Sequence, residues 1–76
     1  MDVHIRGDHI TLGQLLKKLQ MVASGGEAKS YLAEGRVRVN GAVETRRGRK
    51  LRGGDEIEVA GAVYRVVSVP DGHPPR

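Results

Sequence analysis

The chain has 76 residues and a mass of 8.2 kDa, which fits one domain with a small core and leaves little room for a deep substrate cleft. It contains no cysteine, which excludes a disulfide framework, a thiolate zinc site and a cysteine nucleophile and suits a protein of the reducing cytosol. Thirteen Lys and Arg against nine Asp and Glu give a net charge of +4 and a pI near 10.0, which directs attention to a clustered basic face.

The first ten residues have neither a basic n-region nor an apolar h-region, so no signal peptide is expected. No apolar run approaches the roughly 20 residues that span a bilayer, and no membrane partner is expected. Val3 and Ile5 alternate with His4 and Arg6, which predicts a short first strand paired with the last one. From Ile10 to Val22 the period is helical: Leu12, Leu15, Leu16 and Leu19 fall at i, i+3, i+4 and i+7. Thr11 and Gln14 form a capping-box pattern, and Ile10 and Leu15 stand at the staple positions. Lys17 and Lys18 lie off the leucine stripe and read most simply as a solvated face. Gly13 is a weak residue for a first turn, at up to about 1 kcal/mol relative to Ala.

Ser24 and Glu27 repeat the capping-box pattern. Ala28, Tyr31 and Leu32 then supply an apolar face, and Gly35 is placed to end a helix of Gly25–Glu34. The connection between the helices is short, so they pack as neighbours. The period then changes to two. In Arg36–Val39 the valines point one way and the arginines the other. Asn40-Gly41 predicts a type I′ hairpin turn, with Ala42–Thr45 returning as the partner strand. Arg46–Asp55 reads as a basic, Gly-rich loop with one bridge near Leu51. Glu56–Val59 and Ala62–Val69 are strands joined at Ala60-Gly61. The fold class is therefore α+β: two short packed helices against a small, mostly antiparallel sheet. One domain is expected over residues 1–70, with a disordered tail at 71–76.

The positive charge is concentrated in one stretch. Eight cations lie between Lys29 and Arg52 (Lys29, Arg36, Arg38, Arg46, Arg47, Arg49, Lys50 and Arg52), opposed there only by Glu34 and Glu44. That stretch carries +6, and the rest of the chain −2. Solubility alone does not require such segregation. If helix and strand pack through Ala28, Tyr31, Leu32, Val37 and Val39, the cations are left on a shared exterior. Such a face suits a polyanion, because each phosphate neutralised releases condensed counterions. Gly48, between Arg47 and Arg49, lets the backbone approach a phosphate. The chain has no Phe and no Trp, and its two tyrosines are Tyr31 and Tyr64. Tyr31 reads as core, so the aromatic platform used by binders of unstructured single strands is lacking. Recognition through phosphates and shape points to structured RNA.

Several segments together resemble the RNA-binding domain first described in small-subunit ribosomal protein S-four, the αL RNA-binding motif. These are Thr11–Lys17, Ser24–Lys29, Glu34–Gly41 with its Gly-x-Val-x-Val-Asn-Gly run, and Leu51–Val59 with Gly-Asp-x-Ile-x-Val. The family-like core covers residues 11–59. The Ser-Gly-Gly-Glu-Ala-Lys run and the small size are similar to the stand-alone YaaA/YbcJ-type bacterial proteins. The resemblance implies RNA held by the second helix and the adjoining strand and turn, and assigns that role to Lys29, Arg36, Arg38 and Asn40. Gly25 departs from the family, many of whose members carry Arg there, which shifts weight to the loop cations Arg46, Arg47, Arg49 and Lys50.

The remaining features have simpler readings. Asn40-Gly41 is first of all a turn, and Ser24 and Glu27 are caps. His4, His9 and His73 lack metal-ligand spacing, and Asp8 beside His9 is not a catalytic pair. No catalytic residue, metal, cofactor or small-molecule substrate is expected. The function expected is that of a non-catalytic, cytoplasmic, monomeric RNA-binding protein. It would dock on rRNA or tRNA in translation or ribosome assembly, with the ribosome as a candidate partner. The alternatives are a DNA-binding helix-turn-helix, an RNA-targeting subunit for a separate modifying enzyme, and an adaptor for an acidic protein. The helix-turn-helix is poorly equipped, since Gly25, Gly26 and Glu27 offer little to read bases.

Overall fold

A capping box starts the first helix and a left-handed residue ends it, and everything else is arranged around the leucine stripe between them. The computed structural model describes residues 1–69; the tail expected at 71–76, with His73, lies outside the described residues. In chain order the elements are β1 (Asp2–Arg6), β2 (Ile10–Thr11), α1 (Leu12–Lys18), α2 (Gly25–Ala33), β3 (Arg38–Val39), β4 (Ala42–Val43), β5 (Lys50–Leu51), β6 (Glu56–Val59) and β7 (Ala62–Val69). At the start of α1 the Thr11 hydroxyl accepts from the Gln14 amide at 3.3 Å, and the Gln14 side-chain Oε1 accepts from the Thr11 amide at 3.1 Å.

α1 is shorter than its apolar period. Gln20 takes a φ of +61°, the Met21 amide donates to the Leu16 carbonyl, and the Gln20 amide donates to that of Lys17. This is a Schellman termination with glutamine in the place glycine usually holds. In α2 the Ser24 hydroxyl accepts from the Glu27 amide, but the Glu27 carboxylate reaches one residue further back than a capping box, to the Ala23 amide. Gly35, at φ +74°, ends α2.

The main sheet has the order β1-β7-β6-β3-β4, and β2 pairs with β5 in a second, two-stranded sheet. β1 runs parallel to β7, with Val3 opposite Val66; every other pairing is antiparallel. The parallel pair is closed by a crossover that contains β2, both helices and β3–β6, so β1 becomes an edge strand beside β7. Both hairpin turns are left-handed at their two central residues, Asn40-Gly41 and Ala60-Gly61. The core is one cluster. Leu12, Leu15 and Leu16 of α1, with Ala28 and Leu32 of α2, meet Val37, Val39, Leu51, Ile57, Val59, Val66, Val3 and Ile5. Burying a side chain of this kind contributes about 1.5–3 kcal/mol. Strand alternation turns Arg38, Val43, Glu58 and Val63 outward on the sheet face away from the helices. No helix among the described residues is long and apolar enough to cross a membrane.

Candidate nucleic-acid interface

The basic segment after β4 is held from two sides. The first hold is Glu44. Its backbone continues the hairpin by donating to the Val37 carbonyl at 3.0 Å, which turns its side chain inward, and it is 8% exposed. One carboxylate oxygen, Oε2, accepts from the amides of Thr45 and Arg46 at 3.0 and 3.1 Å and from Arg46 Nε at 3.2 Å. The other accepts from Arg46 Nη2 at 3.3 Å and Arg49 Nη1 at 2.9 Å. A buried carboxylate has to be paired and hydrogen-bonded in this way. The Arg46 side chain, then its amide and the Arg49 side chain, outweigh burial and hold the Glu44 carboxyl at about 2.

The second hold is the start of α1. The first amides of a helix have no partner within it. Here the Leu12 and Gly13 amides donate to the carbonyls of Arg49 and Arg47, both at 2.8 Å. β5 then pairs with β2. The stretch expected as a loop with one bridge is therefore pinned at its carbonyls, with Leu51 buried in the core and the cations before it toward the surface. Arg46, Arg47 and Lys50 are exposed and Arg49 is half-buried.

Arg47 lies across both helix starts. A Cβ at Gly13 would stand 3.3 Å from its Cβ, and a Cβ at Gly25 would stand 2.9 Å from its Nη1. Lys29 is one helical turn beyond Gly25 on the same flank of α2, and it is exposed. Among the described residues no carboxylate lies within ion-pair distance of Lys29, Arg38, Arg47 or Lys50.

Three of the expected site residues, Arg36, Arg38 and Asn40, are placed apart from this group. Arg36 pairs with Glu34 at 3.0 Å and lies 5.9 Å over the Tyr31 ring. Tyr31 is two residues from Lys29 and so on the opposite flank of α2; it is half-buried, with one face given to Arg36. Arg38 stands on the outer sheet face, in register with Val43 and Glu58. Asn40 is a structural link: its carboxamide donates to Asp55 Oδ1 at 3.1 Å and accepts from the Glu56 amide at 2.9 Å. Burial pushes the Asp55 carboxyl up, but the Arg52 amide and the Asn40 carboxamide more than offset this and lower it.

Glu44 and Gly13 were not among the site residues expected from the sequence. The signal for Glu44 was its isolation: a single carboxylate two and five residues before two arginines. Two shallow surface hollows among the described residues share Met21, Val22 and Glu27; one adds Lys17 and Gln20, the other Tyr31 and Glu34. The second, with two carboxylates on its rim, is unsuited to a polyanion. Among the described residues no cluster of His, Asp and Glu could hold a metal ion.

A two-helix αL motif on a small sheet defines the class of domain. A family model described as the S4 domain matches residues 3–67, and the chain belongs to that family. It is similar to YbcJ of Escherichia coli, whose solution structure is described as revealing an αL motif involved in RNA-binding. That structure superposes with a TM-score of 0.62 at 39% identity and covers 87% of this chain and 85% of YbcJ. By sequence, YbcJ is 43% identical over 60 residues, 79% of this chain and 86% of YbcJ. The "Probable ribosome maturation protein RlbA" of Bacillus subtilis is 48% identical over 59 residues, 78% of this chain and 83% of RlbA.

Proposed function

We propose that this protein is a non-catalytic RNA-binding module. It docks on structured RNA, rRNA or tRNA, in the cytoplasm during translation or ribosome assembly. The observation that carries the reading is the basic loop, pinned by Glu44 and by the α1 amides so that its cations are presented without a loop-ordering cost at binding. The relatives support it: one is described as RNA-binding, the other is named for ribosome maturation. Arg47, Lys29 and Lys50 contribute full charges. Arg46 and Arg49 share one carboxylate and together contribute about one. Arg36, paired with Glu34, and Arg38, on the outer sheet face, contribute less. Asn40 acts through the turn.

The test is the salt dependence of binding to bulk rRNA and bulk tRNA. Replacing Lys29, Arg47 and Lys50 with Ala flattens the plot of log affinity against log salt by about 0.7–0.9 for each phosphate that is no longer neutralised. Arg36→Ala leaves it near wild type. An unchanged slope in the triple variant overturns the reading, as does preference for duplex DNA in competition at matched salt.

A further inference from the structure

We infer that Gly13 and Gly25 form a two-part seat for Arg47, and that this seat fixes where the Arg47 cation meets RNA; the inference rests on the RNA-binding reading above. Neither glycine adopts the left-handed backbone that would call for one. Both sit in the first turn of a helix, where alanine is the better residue. Their reason is therefore not local. At Gly13 a Cβ would press on the Arg47 Cβ and on its carbonyl oxygen, both at 3.3 Å. That oxygen is the one that accepts from the Gly13 amide. At Gly25 a Cβ would come within 2.9 Å of Arg47 Nη1, closer than real side chains approach, so any side chain at 25 excludes the guanidinium from its present place. Gly13 lets the loop backbone lie against α1, and Gly25 lets the guanidinium lie against α2. Gly26, next in the chain, has only the Ser24 hydroxyl near it, at 3.9 Å, and takes no part in the seat.

The geometry separates folding from binding. At Gly25 the group displaced is the free end of a flexible side chain, so Gly25→Ala evicts the guanidinium and spares the fold. Its melting temperature stays level or rises. Affinity for bulk rRNA and bulk tRNA falls about tenfold, and the salt slope shallows by about 0.7–0.9, the signature of one phosphate left without its cation. Gly26→Ala binds as the wild type does. Gly13→Ala moves the loop amides around Arg47 in a ¹⁵N spectrum and weakens binding similarly. Arg47→Ala and the Gly25→Ala, Arg47→Ala double variant bind alike, since no guanidinium is left to evict. The inference fails if Gly25→Ala binds as tightly as Gly26→Ala, or if Gly25→Ala still weakens binding when Arg47 is already Ala. The Arg47 Nε–H signal reports the seat without RNA. If it shifts in Gly25→Ala while the wild type shows no RNA affinity, the seat stands and the RNA reading falls; an unshifted signal overturns the seat.

Discussion

Glu44 changes what the arginines around it can do. In the sequence it subtracts one charge from a basic run; in the fold it turns two flexible side chains and two amides into a fixed corner. Glu44→Gln leaves Arg46 and Arg49 without their anion, and the variant is expected to be less stable than wild type at neutral pH by urea denaturation. The pH dependence has a definite sign. The carboxyl lies at about 2 in the fold against 4.5 when unperturbed. Its contribution is therefore complete above about 4.5 and is lost as pH falls toward about 2. The difference in stability between wild type and Glu44→Gln should shrink across that window in an acid titration, and a constant difference would refute the assignment. Ala60 shows the same dependence on context. Its φ of +53° is imposed by a two-residue hairpin, where asparagine fits better.

At the scale of elements, the helix starts were legible and one helix end was not. Thr11 and Ser24 cap where their patterns place them because an N-cap is decided by a side chain and amides three residues away. Gly35 ends α2 for an equally local reason. α1 stops at Lys18 although its apolar period runs on to Val22, because Gln20 is forced left-handed by the path to α2 and carries no glycine to announce it. Gln20→Gly is expected to stabilise the protein by about 0.5–1 kcal/mol, read as a higher urea midpoint with unchanged m-value. The hairpin at Asn40-Gly41 was legible, but its second strand spans only Ala42–Val43: Glu44 keeps one bond to Val37, and pairing stops after it because the Thr45 and Arg46 amides turn to the Glu44 carboxylate.

At the scale of the whole molecule, one small core carries the fold. A chain of this length has a stability of about 4–11 kcal/mol. Leu16 of α1 is fully buried in that core, and Leu16→Ala is expected to cost about 2–5 kcal/mol. Thermal unfolding should therefore shift by many degrees, and a shift within error would contradict the packing described. The helices, the hairpins, the outer strands and the excess of positive charge were determined by the sequence, because periodicity, capping and turn chemistry act over a few residues; β2 with its pairing to β5, and the early end of α1, were not. Only the tertiary structure decided which cations stand together. It set Arg47 against two glycines from different helices, gave Arg46 and Arg49 to Glu44, and parted Arg36 and Arg38 from them. Such groupings depend on long-range docking of the loop on α1, and charge order along a chain does not encode which flank of a helix or face of a sheet a side chain reaches.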